Sequence, residues 1–437
     1  MKSRVRAVGL DFGTTNSAIS VILEDGAPHL ARFNSPDDTP IESFRSILFF
    51  EWVQETGGTE SSVSVGNEAI RRYLRAAANG RLIQSLKSFL AVRSFDSTDI
   101  MGEQYSLGDL IAPILIELRQ AAESQFGSLP PAVTVGRPVH FSDARDGADD
   151  AFAQARLDVA VRRAGWDDVR FEYEPVAAAH DYSTRIVRDE TVLIGDFGGG
   201  TSDFSILRLR TPNAAPSGDR YQILGNDGVA LAGDAFDGRI THHVVAPALG
   251  RSSRYRSPYG MILPVPTWPY TKLERWHHLS MLKNRATLFR LKDLQRDSLE
   301  PQKLAAFIHI VNNDLGYHLF RSVEQTKLEL SDFESANFSF ADPPVKIDKE
   351  VSRPEFESWI AHHLARIEEC VDRLMTTAGI ARAEIDSVFL TGGSSFVPAV
   401  RRIFADRFGE SKIRLGNEFT SVARGLALRA LEEEADG

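Results

Sequence analysis

Only one cysteine, Cys370, occurs in 437 residues, which excludes an intramolecular disulfide framework and a cysteine-rich zinc site. It sits in a helical apolar pattern and is expected to be an inert buried thiol. No apolar run reaches the roughly eighteen residues of a membrane-spanning helix. The stretch after Lys2, Arg4 and Arg6 is too short for a signal peptide, so a cytoplasmic location is expected. Runs of Lys or Arg are also absent, and the formal net charge is −10. Capture of nucleic acid or of an anionic membrane needs clustered positive charge, so neither is an expected partner.

Several common motifs are missing too. There is no Gly-x4-Gly-Lys-Ser/Thr loop, no protein-kinase catalytic loop and no Gly-x-Gly-x-x-Gly. Gly392-Gly393-Ser394-Ser395-Phe396 fails as a nucleophile elbow at its last position. The histidine pairs His242-His243, His277-His278 and His362-His363 lack the His-Glu-x-x-His spacing or a cysteine partner, so they are not read as a metal site.

What is present is a repeated strand-turn-strand. Val5 to Leu10 is apolar and runs into Asp11-Phe12-Gly13-Thr14-Thr15-Asn16-Ser17, then into Ala18 to Ile22. Thr191 to Gly195 runs likewise into Asp196-Phe197-Gly198-Gly199-Gly200-Thr201-Ser202-Asp203, then into Phe204 to Leu207. The Asp-Phe-Gly steps lie 185 positions apart, which points to two related halves. Helical stripes are read at Ala148, Phe152, Ala155 and Val159, with Ser142 as the cap, and at Phe356, Ile360, Leu364, Ile367, Val371 and Leu374. Ser387 to Thr391 reads as a strand, so the class is α/β. Ser35 to Glu60, with its Gly57-Gly58 break, and the Pro/aromatic stretch Gly250 to Tyr270 read as peripheral elaborations. The Glu-rich end is expected to fray.

The chemistry these turns suit is phosphate binding. Gly13, Gly198, Gly199 and Gly200 let backbone N–H groups approach phosphate oxygens, and Thr14, Thr15 and Thr201 add hydroxyl donors. Asp11 and Asp196 would repel phosphate directly, so their sensible role is to hold a hydrated Mg2+ ion.

Gly9 to Ser17 resembles the first phosphate motif of the seventy-kilodalton heat-shock chaperones. Gly195 to Asp203 resembles their second, and Val388 to Pro398 their adenosine motif. Val133 to Val135 with Pro138 to Asp143, Glu174 to Ala179 and Leu231 to Asp237 resemble connecting segments in the same order. The resemblance implies an actin-like ATPase fold: two lobes, each with a ribonuclease-H-like core, and ATP or ADP in the cleft between them. Lobe I would be 1–187, with a peripheral subdomain at about 39–108, and lobe II 188–437, with an enlarged one at about 234–362. It implies Lys87 at the γ-phosphate, Glu174 orienting water, and Asp203 joining Asp11 and Asp196 around Mg2+, with K+ as a further cation. It places Asp196 and Thr201 among the catalytic groups. Glu324, Lys327 and Ser331, with Gly392, Gly393 and Ser394, would contact the nucleoside.

Leu328 and Phe396 stand where the family carries arginines against adenine. No counterpart of the family's apolar linker and peptide-binding domain is expected in these 437 residues, and the chain looks most like the YegD-type putative chaperones. The expected function is a slow ATPase coupled to an unknown client or co-chaperone. The rival readings are a sugar-type kinase on the same fold, a non-hydrolysing nucleotide module and a filament former.

Overall fold

Val8 and Leu10 are completely buried in the strand Ala7–Asp11, as expected for a central strand covered on both faces. The computed structural model describes residues 4–35, 39–55, 58–75, 80–211, 221–275, 279, 282–415 and 420–436. Gly57 and the His277-His278 pair lie outside them. Contacts divide the chain into two compact units. The first holds Met1–Ala232, Arg366–Ser395 and Val400–Gly437; the second holds Gly233–Ala365 and Phe396–Ala399.

The first unit contains two sheets of matching topology. In one, the order is Asp168–Tyr173, Ala132–Arg137, Ala7–Asp11, Asn16–Ile22, Pro28–Leu30, with Phe44–Arg45 added beside Asn16–Ile22. In the other it is Ile413–Leu415, Ser387–Thr391, Glu190–Phe197, Ser202–Leu209, Tyr221–Val229. In both, the central strand pairs antiparallel with the strand after its turn and parallel with a strand far along the chain. Asp11 lies opposite Ala18, and Asp196 opposite Asp203. The repeated Asp-Phe-Gly steps therefore mark a real duplication of a five-strand pattern.

Two helices brace the first sheet. Ser421–Asp436 packs on Ala7–Asp11 and crosses Glu174–Ser183. The crossing is close enough that a Cβ on Gly425 would lie 1.6 Å from the Ala177 carbonyl oxygen. The acidic end is helical rather than frayed as far as Asp436, because Glu433 pairs with Arg170 and Arg429. Buried Asp181 ties the same helices by accepting from Arg424 (2.8 Å) and Arg185 (2.6 Å). Asp181→Ala is expected to cost about 2 kcal/mol, less than a fully buried pair because Arg185 is half exposed. An unchanged thermal midpoint would remove this tie from the account.

The helix Gly147–Arg163 departs from the sequence reading. Its cap is Asp146, which accepts from the Ala148 and Asp149 N–H groups, and not Ser142. Its buried face is Asp150, Ala153, Leu157, Ala160 and Val161, while Ala148, Ala155 and Val159 are exposed. The cause is Asp150, a buried acid that accepts from the Phe141 N–H (2.8 Å) and pairs with His140. A carboxylate on the core face hides the stripe. Phe152 is covered instead by the Arg93 and Arg156 guanidinium groups. The stripe in Arg353–Ala378 holds, with Phe356, Ile360, Ile367, Val371 and Leu374 buried.

The second unit is mainly helical, with Gly233–Ile240, Trp268–Glu274, Arg285–Asp297, Pro301–Asn312 and Gly316–Asp332. It carries the hairpins Arg254–Arg256/Ile262–Pro264 and Ser335–Asp342/Val345–Ser352. Within the Pro/aromatic stretch, Tyr259 is exposed and Tyr270 packs inward. Tyr270 is fully buried, stacks on Phe307 at 5.2 Å and donates to the Leu249 carbonyl. Among the described residues no helix is long and apolar enough to cross a membrane.

Candidate functional site

The first unit gathers Asp11, Lys87, Glu174, Asp196 and Asp203 into one cluster, in which Asp11 is partly exposed and the other four are buried. Asp11 ends its strand, and Asp196 comes one residue before the end of the matching strand. Glu174 is the first residue of Glu174–Ser183. Lys87 sits in the short 3-10 turn Leu86–Phe89. It is buried rather than on the surface, with Nζ 2.5 Å from Glu174 Oε1. A lysine with both ends enclosed at such a turn has no periodicity to announce it.

Four carboxylates and one ammonium make a site rich in negative charge. Burial, then Glu174, push Asp11 up to about 7, against the pull of Lys87. Burial and Glu174 push Asp203 to about 7 as well, although the Thr201 hydroxyl and the Val139 N–H donate to it. The Val139 bond is 2.7 Å. Asp196 is raised well above the usual carboxylate range by burial, then by Glu174, Asp11 and Asp203. Burial opposes the charge on Lys87, but Glu174 and Asp11 overcome it and hold the ammonium above its ordinary range. The cluster is thus short of positive charge.

The turns beside these acids form a narrow cradle. A Cβ built on Gly200 would lie 2.7 Å from Ser142 Oγ, 3.5 Å from Thr14 Oγ1 and 3.7 Å from Ser88 Oγ. Only glycine leaves that space, and three hydroxyls face it. Thr14 and Thr201 are buried, Gly198 is exposed, and Gly13 and Gly199 are partly exposed. The Gly198 N–H bonds back to the Thr201 carbonyl (3.0 Å), and the Gly13 N–H to Ser17 Oγ (3.2 Å), which closes each turn. Thr15 accepts from the Ser46 N–H. In the sequence Ser142 has a different role, as a helix cap, Val139 falls only within the Pro138 to Asp143 resemblance and Ser88 is passed over, since their positions here depend on contacts across the fold.

Among the described residues no three Asp, Glu, His or Cys side chains converge closely enough to ligate a bare ion. The donors present, carboxyl oxygens of four acids against one ammonium, are the type a hard cation that keeps its waters takes.

The second unit carries Glu324, Lys327 and Ser331 on Gly316–Asp332. Lys327 is half enclosed by an ion pair with Asp237 at 2.8 Å, and both side chains are nearly buried. Burial disfavours its charge, but Asp237 and Glu324 raise its affinity for the proton. Ser331 Oγ donates back to the Lys327 carbonyl. Asp237 ends the Leu231 to Asp237 motif, and its partnership with Lys327 was not legible there. Leu328 is exposed. In the first unit, Gly392 has φ +83° at the end of Ser387–Thr391, with Gly393 and Ser394 opening a 3-10 turn. Cys370 is buried, and burial pushes its thiol up to about 12. His242 pairs with Glu274, while His243 stacks on Trp359 at 4.6 Å.

A duplicated five-strand sheet whose central strands each carry an Asp into a Gly/Thr turn defines the actin-like ATPase fold. The family model described as Hsp70 protein matches residues 89–252 and 307–432. The chain belongs to the Hsp70 family and is an ATP-binding, chaperone-like protein of the actin and Hsp70 superfamily. Asp11 and Lys87 precede the first matched segment, and 253–306 lies between the two.

Proposed function

We propose that the chain is a slow, Mg2+-dependent ATPase whose nucleotide state is read by a protein client or co-chaperone. The observation that carries this reading is the acid cluster of Asp11, Glu174, Asp196 and Asp203 beside a hydroxyl-lined, glycine-opened cradle. Bound Mg2+ would offset the charge of the β- and γ-phosphates. Asp11, Asp196 and Asp203 would hold its waters. Thr14, Thr15, Gly199, Gly200 and Thr201 would bind phosphate oxygens, with Gly13 and Gly198, whose N–H groups close the turns, leaving them room, and Lys87 would stabilise charge developing on the γ-phosphate. Glu174 would orient the attacking water. One of its oxygens is already engaged by the Lys87 ammonium, which supports slow turnover.

On the nucleoside side, Glu324, Lys327 and Ser331 are proposed to contact the ribose and base, with Gly392, Gly393 and Ser394 leaving room for adenosine. In this reading residues 1–187 and 188–437 act as lobes that close on ATP, and the protein is a cytoplasmic relative of the YegD-type chaperones. Asp11→Asn and Thr201→Ala are each expected to lower Mg2+-dependent phosphate release by about 100-fold or more, with circular dichroism unchanged. Unaltered release in both variants would sink the site assignment. Phosphorylation of a sugar in preference to water would favour the kinase reading.

A further inference from the structure

The segment 253–306 separates the two stretches that match the Hsp70 family. Its composition is unlike the rest of the chain. It holds ten Lys/Arg and four Asp/Glu in a protein whose net charge is −10. The remainder is therefore more acidic than the whole, and this segment is a local basic island.

At one end of it stands the hairpin Arg254–Arg256/Ile262–Pro264. Register pairs Arg254 with Pro264, Tyr255 with Leu263 and Arg256 with Ile262. Side chains alternate across a strand, so Tyr255 and Leu263 share one face and Arg254, Arg256, Ile262 and Pro264 the other. Tyr255 and Leu263 are half-buried, while all four on the second face are exposed. The tip adds Tyr259 at 88% exposure and Met261 at 54%, beside Ile262 at 50%.

This apolar tip is held in shape. The Ser257 N–H bonds to the Met261 carbonyl (2.8 Å), the Met261 N–H to Ser257 Oγ (3.1 Å), and the Gly260 N–H to the Ser257 carbonyl (2.9 Å). The base is tied by the Leu299 N–H to the Arg254 carbonyl (2.8 Å) and by Ser253 Oγ to Glu300 (2.6 Å). Arg254 and Arg256 make no ion pair among the described residues. The helix Arg285–Asp297, which ends beside the hairpin, has Leu291 as its buried residue. Arg285, Phe289, Lys292 and Arg296 are exposed at helical spacing, with Phe289 at 66%. Both elements therefore present apolar anchors beside cations, although Arg296 is itself paired with Asp293 and Asp297.

We propose that the outer face of this hairpin, Arg254, Arg256, Tyr259, Met261 and Ile262, docks an acidic protein segment bearing apolar side chains. A preformed surface of this kind loses little freedom on binding, and exposed aromatics with Arg are the residue types that anchor partners. Charge complementarity selects an acidic occupant. Two cations and three apolar tip residues make a face that a short segment covers, without the run of cations that an anionic bilayer or a duplex needs. Charges beyond about 8 Å are screened at physiological salt, so the island acts locally.

The test uses the full chain and a fluorescein-labelled synthetic peptide of about twelve residues, Asp and Glu interspersed with Leu and Phe, read by anisotropy. Wild type is expected to bind it, more weakly as salt rises. Tyr259→Ser/Met261→Ser/Ile262→Ser and Arg254→Glu/Arg256→Glu are each expected to weaken binding by about tenfold or more, with unchanged melting temperature. The single Tyr259→Ser, at a nearly fully exposed position, serves if the triple variant folds poorly. Equal affinity in wild type and all variants overturns the proposal. So does flotation of wild type with phosphatidylserine vesicles, or its self-association in sedimentation, in the absence of peptide binding. Nucleotide is left out, so the result is independent of the ATPase reading.

Discussion

Lys87→Met is expected to destabilise the protein and remove hydrolysis together. Lys87 is the cation that counters burial at Asp11 and Asp196. Its loss leaves Glu174 buried without its ion-pair partner, 2.5 Å away in the wild type. Breaking a buried pair from one side costs about 3 kcal/mol or more. The transition state loses a charge-stabilising donor as well, which removes about 100- to 1,000-fold in turnover. Millimolar Mg2+ should raise the melting temperature of the variant more than that of the wild type, because the excess of acid is then larger. A variant with unchanged melting temperature, unchanged turnover and no added response to Mg2+ would contradict the electrostatic description of the cluster.

Gly425→Ala is expected to have an effect of similar size through packing alone. The new Cβ would meet the Ala177 carbonyl oxygen at 1.6 Å and the Ala177 carbonyl carbon at 2.4 Å. Both are backbone atoms of Glu174–Ser183, so no side-chain rotamer relieves the clash. Either Ser421–Asp436 lifts from the sheet or the helix that begins at Glu174 shifts. Overpacking that moves backbone costs about 3 kcal/mol, at the upper end of the usual range. Thermal unfolding should show a large drop, and the surviving protein should hydrolyse ATP poorly because Glu174 has moved. Gly147→Ala is the control, since a Cβ there meets nothing within 4 Å. Equal melting temperatures for the two variants would show that the helix crossing is looser than described.

The sequence made local features legible and hid distant ones. Both Asp-Phe-Gly turns announced their strands, because an apolar run ending at Asp and followed by glycines has few other uses. Ser387–Thr391 was legible as a short, mostly apolar run leading into glycines, and the stripe of Arg353–Ala378 because its burial follows the helical period. Gly147–Arg163 was placed but misfaced. Asp150 points to the core to satisfy the Phe141 N–H, and no periodicity records that. Lys87, Glu174 and Asp203 were reached through family resemblance and not from pattern. What they share is burial against residues tens of positions away, such as the Val139 N–H that holds Asp203. Gly425 was silent altogether, since a glycine within a helix shows its need only when the neighbouring backbone is in place.

The predictions for Asp11, Lys87 and Thr201 rest on one claim, that the acids of the first unit hold Mg2+ against bound phosphate. Calorimetric titration of ATP with and without Mg2+, in wild type and in Asp11→Asn/Asp196→Asn, tests it most directly. Wild type should bind ATP more tightly with Mg2+, and the double variant, folded by circular dichroism, should show no Mg2+-dependent gain. The same Mg2+-dependent gain in both proteins would contradict it.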